Sequence, residues 1–323
     1  MAYEHNWITQ SGYLTNDKLN KFFQKSAQPL MRFRQFVRFK EAFGKHQGQS
    51  VNWLKVANVT DYGGKLVETT TMHETTQQLQ WGTLTVDEYG NSIPHTFKIE
   101  SLSEFDVKQL IREGLLDDAV KCIDGEIERQ FNATLLRYVG TTTSAGTVTT
   151  NGTATVVNTS VLNSYHIRKM ALELKKRNVP GWSDLGGDYV MICSVEAMEN
   201  IQGSLETVNS YTETGYKKLL NGEQGRWMGV RFVEDSFATR YTYDSTARTA
   251  TAKTWSKAKS LDGYMFGSPT VREAVVVPEE IRAKVVTDYG RSKGLAWYFL
   301  GGWKIERDEA AKDARIIKWD SPS

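Results

Sequence analysis

Five histidines, two cysteines and two pairs of adjacent carboxylates are the residues of this chain that could support catalysis or bind a metal. His5, His46, His73, His95 and His166 never recur four apart on a helical pattern, and none stands beside a cysteine pair, so a zinc site is not expected. His73-Glu74 lacks the second histidine of a metalloprotease helix. Gly290-Arg291-Ser292-Lys293-Gly294 sets a lysine among glycines, but without the Gly-Lys-Ser/Thr order and following helix of a phosphate-binding loop. No dinucleotide fingerprint and no Gly-x-Ser-x-Gly elbow occurs. Asp87-Glu88 and Glu279-Glu280 lie on strand patterns, where neighbours face opposite ways, so they should be solvated or paired rather than share a proton. Cys122 and Cys193 sit at apolar positions and read as buried, reduced small hydrophobes. The chemistry expected is therefore none: no catalytic residue, no cofactor, no metal, no enzyme.

The elements that carry these residues form a layout of arm, ribbon and strut. Residues 1–46 look like an arm. Over residues 17–45, Lys18, Lys21, Lys25, Arg32, Arg34, Arg38, Lys40 and Lys45 stand against Asp17 and Glu41, a surplus of six, and Phe22, Phe23, Phe33, Phe36, Phe39 and Phe43 interleave. Such a pattern suits a nucleic-acid-binding arm that pairs phosphate contacts with base stacking. It suits equally an arm that lays its phenylalanines on a neighbouring subunit. We favour the second, because Arg32-Phe33-Arg34 and Phe36 to Phe39 fit ordinary packing. Residues 48–99 alternate like strands, with a turn at Asp61-Tyr62-Gly63-Gly64 and a second at Gly90-Asn91 leading into Ile93 to Ile99. Such a ribbon has little to bury alone and should lie on a partner chain.

Ser103 to Tyr138 reads as one long helix, with Leu116, Val120, Ile123, Ile127, Phe131 and Leu135 as its apolar stripe. Lys121, Asp124, Glu126, Glu128 and Arg129 form the solvated face, Ser101 with Glu104 has capping-box spacing, and Gly140 is the stop. Asn151-Gly152 predicts a tight hairpin turn. A second helix is expected over Val161 to Lys176, a buried strand over Asp188 to Cys193, a short helix over Val195 to Ile201 and a strand over Gly229 to Glu234. Thr239 to Thr254 reads as a surface hairpin. The last seventy residues give strands over Val271 to Val277, Ile281 to Val286, Leu295 to Ile305 and Ala314 to Trp319.

Composition closes off other classes. The 40 Lys and Arg nearly balance 38 Asp and Glu, so there is no global polyanion-binding signature. No run of eighteen apolar residues occurs, and no membrane partner is expected. Met1 to Trp7 has neither a basic nor an apolar leader pattern, so export is not expected and the Asn132-Ala-Thr134 and Asn151-Gly-Thr153 sequons are taken as chance. Nine tryptophans and a 40% hydrophobic content point to surface that other copies cover.

Several blocks carry a resemblance. Leu220 to Glu234, Tyr264-Met265-Phe266-Gly267, Val277-Pro278-Glu279-Glu280-Ile281-Arg282-Ala283-Lys284 and Asp288 to Trp303 resemble stretches of the major capsid proteins of tailed bacteriophages, the N-four-like family. Leu84 to Ser92 and Lys176-Arg177-Asn178-Val179-Pro180 are similar too, so the resemblance runs from about residue 30 onward. It implies the α+β capsid fold named after phage Hong Kong 97. The implied parts are an N-terminal arm (1–46), an extended β-loop (47–98), a peripheral domain with its spine helix (99–159), an axial domain (160–270) and a strand-rich return to both domains (271–323). It implies a major capsid protein that self-assembles into hexamers and pentamers of an icosahedral head around double-stranded DNA, held by non-specific proximity. Assembly is expected in a bacterial host cytoplasm, and the mature location is the virion shell. Scaffold, portal and decoration proteins are the implied further partners, and with no leader visible before Tyr3, scaffolding is expected on a separate chain. The residues expected at subunit contacts are Phe22, Phe23, Arg32, Phe33, Arg34, Phe36, Arg38 and Phe39 on the arm. On the loop they are Trp53, Trp81 and Tyr89. No Lys–Asn cross-link pair is assigned. The rival readings are a minor or decoration protein of the same fold, a nucleic-acid-binding protein using its basic arm, and a cytoplasmic α+β enzyme.

Overall fold

The computed structural model describes residues 32–42, 48–56, 63–102, 106–194, 196–199, 201–202, 223–237, 241–244, 246–252, 262–307 and 313–320. Its frame is two mixed sheets bridged by one long helix. The four-stranded sheet has the order β1-β13-β14-β4, built from Val37–Ala42, Val271–Ala283, Ser292–Ile305 and Asp87–Thr96. The seven-stranded sheet runs β6-β5-β15-β12-β7-β9-β8, from Ala145–Thr149, Leu136–Thr142, Ile316–Trp319, Gly263–Phe266, Tyr189–Ser194, Val230–Asp235 and Glu223–Trp227. Two hairpins complete the strands: β2 (Ser50–Val56) with β3 (Leu79–Thr85), and β10 (Tyr241–Asp244) with β11 (Thr249–Ala252). The helices are α1 (Phe97–Leu102), α2 (Val107–Asn132) and α3 (Ser164–Lys176), with short helical stretches at 196–199 and 201–202. None of the described helices is long and apolar enough to cross a membrane.

The expected spine helix exists as α2 but is shorter than its apolar pattern suggests. Its 26 residues span about 39 Å at 1.5 Å per residue. Asp106 caps it, accepting from the backbone N–H groups of Lys108 (3.0 Å) and Gln109 (3.3 Å), while Ser101 belongs to α1. At the other end the Thr134 hydroxyl donates to the Ile316 carbonyl at 2.6 Å. This ties the chain into the large sheet, so Leu135 to Tyr138 leave the helix and Gly140 lies in a strand. The face expected in solvent is the larger correction. Residues 122–128 are buried all round, including Asp124, Glu126 and Glu128. Three carboxylates made that turn look hydrophilic, but tertiary structure supplies partners for two of them, and the third is met only from its own helix. Phe33 N–H donates to Asp124 at 2.9 Å, the Tyr264 hydroxyl donates to Glu128, and Arg129 lies 3.7 Å from Glu126. Burial, with the nearby Asp235 charge, pushes the Asp124 carboxyl well above the usual carboxylate range.

Three smaller expectations also change. Gly90-Asn91 does not turn the chain: β4 runs straight through it, pairing Gly90 with Tyr298 and Asn91 with Trp297. A Cβ at Gly90 would stand 2.7 Å from the Trp297 carbonyl, so the glycine serves close approach rather than a bend. Asn151-Gly152 is not the hairpin turn either; β5 and β6 turn at Thr143-Ser144, and Gly152, at φ +77°, donates to the Leu135 carbonyl at 3.0 Å. Val271 to Ala283 is one strand across Pro278, which sits where the β13–β14 register shifts.

β7 is buried along its whole length because both faces of the large sheet are covered. Val190 and Ile192 face a cluster shared with α2 and the small sheet, containing Phe33, Phe36, Phe131, Phe266, Trp297 and Phe299. Met191 and Cys193 face the other way, into a cluster under α3 with Met170, Leu174, Phe232 and Trp319. Cys122 and Cys193 are buried and outside any disulfide. His166 lies in this second layer, its Nδ1 3.0 Å from the Tyr138 hydroxyl and its Nε2 3.0 Å from the Ser160 hydroxyl. All three are buried, so this Ser–His contact is packing rather than a nucleophile open to substrate.

The arm root decides what a truncation does. Phe33 packs edge-on against Phe131 and Tyr264, Phe36 against Trp182 and Phe266. Arg34 lies between Glu273 (2.7 Å) and Glu279, all three almost wholly buried. Removing one member of a buried ion cluster costs about 3–5 kcal/mol, so Arg34→Ala should lower the chemical-denaturation midpoint sharply. Deleting residues 1–42 should abolish cooperative unfolding, because it removes Phe33, Arg34 and Phe36 from the core. Desolvation lowers the His166 pKa to about 4, below the usual value of about 6.5. Its contribution is therefore complete above pH 6.5 and is lost as pH falls toward 4, by at most about 3 kcal/mol. Comparing urea midpoints at pH 7 and 4.5 should show this loss in the parent and a flatter profile in His166→Gln.

Candidate inter-subunit surface

The β2–β3 ribbon is the element most exposed on one face. Its pairing sets Val51 opposite Leu84, Trp53 opposite Gly82, Leu54 opposite Trp81 and Val56 opposite Leu79. Strand alternation then separates two faces. Val51, Trp53, Leu84 and the adjoining Val86 join Ala274 in a small core on the four-stranded sheet, with Val276 and Leu300 packed beside it. Trp53 lies under Arg272 (5.0 Å from guanidinium carbon to ring centroid) and beside Lys55 (5.4 Å). Gly82 makes room for it, since a Cβ there would come within 2.3 Å of the indole. Gly302 lets the sheet approach the ribbon, a Cβ there meeting the Thr85 carbonyl at 2.3 Å.

Among the described residues, none covers the other face. Leu54, Val56, Leu79 and Trp81 are 48%, 40%, 57% and 69% exposed. Beyond the ribbon, residues 63–78 are exposed throughout and carry Leu66, Val67 and Met72. Isolated exposed apolar side chains are ordinary, but four in register on one two-stranded face form a patch. A second apolar area lies on α1 and the β13–β14 tip, where Phe97, Ile99, Leu102 and Tyr289 are exposed. There Glu100 takes Lys108 (2.7 Å) and Lys293 (2.9 Å), whose hydrogen bonds hold its carboxyl down to about 2.

The residues expected at subunit contacts divide. Trp81 is exposed. Phe33, Arg34, Phe36 and Trp53 are buried within their own chain, so they are corrected from neighbour contacts to core. Tyr89 is half-buried against Phe299 and Trp303 (5.4 Å between the Tyr89 and Trp303 centroids), and Arg32 is half-buried. Phe22, Phe23 and the side chains of Arg38 and Phe39 lie outside the described residues. Leu54, Val56 and Leu79 were missed by the sequence reading. Alternation separates them from Val51 and Trp53, but nothing local says which face the body covers. No group of three or more His, Cys, Asp or Glu among the described residues could hold a metal. The cleft under the β10–β11 hairpin, about 470 Å³, is lined by Asp87, Tyr89, Asp118, Arg248 and Trp297 among others. Asp118 in it is already engaged by the Trp297 indole N–H (2.7 Å) and the Asn91 amide (3.0 Å).

No protein-family model matches the chain, and no curated protein matches it in sequence. Solved structures do. The capsid of Ralstonia phage GP4 aligns with a TM-score of 0.62 at 13% identity, over 89% of this chain and 88% of that one. The cyanophage Pam1 capsid gives 0.62 at 13% identity, over 90% and 92%. The head of Helicobacter pylori bacteriophage KHP40 gives 0.56 at 14% identity, over 90% of each. At such identities what is shared is the fold: this chain has the Hong Kong 97-type fold of tailed-phage capsid proteins.

Filling Gly82 should lift the ribbon from its seat. Gly82→Val forces Trp53 out of its place, an overpacking cost of about 1–3 kcal/mol. Limited proteolysis should then cut within residues 50–85 faster than in the parent, with the body intact.

Proposed function

We propose that this chain is a major capsid protein, self-assembling into hexamers and pentamers of an icosahedral shell around a double-stranded genome. The observation that carries the reading is the outer face of the ribbon, with Leu54, Val56, Leu79 and Trp81 in register and uncovered. The likeness of about nine-tenths of the chain to phage capsid subunits supports it.

In this reading the mechanism is interface energetics. Full burial of a large apolar side chain contributes about 1.5–3 kcal/mol, and because these four are already about half-buried, covering them gives a gross gain on the order of 3–6 kcal/mol. Association and side-chain ordering consume much of that. A single ribbon contact is therefore weak, and the shell closes because each subunit both lends a ribbon and receives one. The seat on the body holds the ribbon's inner face, so a neighbour meets a preformed surface and pays less ordering entropy. Residues 63–78 extend that surface with Leu66, Val67 and Met72.

The double substitution Leu54→Glu with Trp81→Glu tests this. Both side chains are exposed, so thermal unfolding of the soluble subunit should shift little. Electron microscopy of the purified protein should show shells for the parent and unassembled subunits for the variant. Shells of normal yield and size from the variant would remove the ribbon from the assembly mechanism.

A further inference from the structure

α3 presents a concentration of positive charge that neither the fold nor the subunit contacts above use. Asn163 caps the helix through Tyr165 N–H (3.0 Å) and His166 N–H (3.2 Å). His166, Ile167, Met170, Ala171 and Leu174 point into the core. The opposite side exposes Arg168, Lys169, Leu172, Lys175 and Lys176, which fall within about a third of the helix circumference at 100° per residue. With Arg177 directly after the helix, five cations face one carboxylate, Glu173. Their net charge of four exceeds the +2 of the entire chain.

The helix dipole accounts for part of this. Lys175, Lys176 and Arg177 stand at the C-terminus, where cations are favoured, and Glu173 takes Arg177 (2.8 Å) with Lys176 at 3.8 Å. Arg168 and Lys169 are mid-helix, where the dipole offers nothing. Both lie by the Tyr165 ring, at 5.8 Å and 5.4 Å from its centroid, which holds them on the same face as the other cations. Glu196 and Glu199, on the stretch that joins the same apolar cluster, are also exposed and offset part of the charge. The stripe itself remains basic along its length.

We propose that the exposed face of α3 binds the phosphate backbone of the packaged double-stranded nucleic acid. Arg168 to Lys176 covers about 12 Å of helix axis, a length over which a duplex carries about seven phosphates. The face offers cations, one tyrosine edge and one leucine, so it engages backbone charge and reads no base sequence. The proposal rests on the shell reading for the identity of its ligand, and the arm's Lys18, Lys21 and Lys25 are a competing site that the test must remove.

The test uses the full chain, a 1–31 deletion, and both combined with Arg168→Gln, Lys169→Gln, Lys175→Gln and Lys176→Gln. Affinity for a random-sequence duplex is measured across salt concentrations, and assembly is followed by electron microscopy. With about three or four phosphates neutralised, log affinity should fall with log salt at a slope of about −3. The substitutions should flatten that slope and weaken binding at least tenfold at low salt, with or without residues 1–31, while shells still form. Unchanged affinity and slope in the substituted chain would overturn the proposal and leave the shell reading intact. Loss of shells with unchanged duplex binding would overturn it too, making α3 a contact with an acidic protein surface. Duplex binding lost as predicted in a protein that forms no shells even unsubstituted would support the phosphate site and defeat the shell reading.

Discussion

The placement of Arg34 between Glu273 and Glu279 is the constraint from which the rest of the architecture follows. The three side chains are at most 7% exposed, and isolated charges at that depth would be untenable. Burial by itself lowers the Arg34 pKa, but the two carboxylates more than reverse this and keep the guanidinium charged. At the adjacent residue, the Asp124 carboxyl receives the Phe33 N–H. Together these fix the segment before β1 against both the spine helix and the long β13 strand. Phe33 and Phe36 then complete the cluster between the two sheets, and β1 adds itself parallel to β13. A segment whose composition resembles a free arm is thereby the edge of the small sheet and part of the main core.

That anchoring sets where the unsupported pieces leave the body. β1 occupies one edge of the small sheet and β4 the other. The ribbon between them lies across the face of β13 and β14, held by Trp53 and by the glycine clearances at Gly82 and Gly302. Among the described residues, its inner face is covered by its own chain and its outer face is not. The described core is closed within one chain, and the ribbon's outer face is an apolar surface already formed. In the proposed function, shell formation uses apolar surface that the described ribbon already presents.

Much of this was legible in the residues, and the failures have physical causes. The strong alternation or helical period of β7, β9, β14 and α3 survived because each covers a core directly, so pattern and environment agree. The 122–128 turn was misread because periodicity cannot register a tertiary partner. Asp124 and Glu128 look solvated until a backbone N–H from ninety residues upstream and a tyrosine from the far end of the chain are brought to them. Gly90 was misread because glycine serves both turns and close approach, and only packing distinguishes the two; Asn151-Gly152 does bend the chain, with Gly152 at φ +77°, but joins no pair of strands. The ribbon's alternation was clear but its polarity was not. Trp53 and Trp81 are equivalent in sequence, and only the body's position makes one core and the other surface.

Hydrogen exchange on the free subunit and on the assembled particle tests the central claim most directly. The account predicts that amides of residues 32–42 exchange equally slowly in both states, protected by the subunit's own core. Those of residues 63–78 should be fast in the free subunit and slow only in the particle. Fast exchange of residues 32–42 in the free subunit, with protection gained only on assembly, would contradict it.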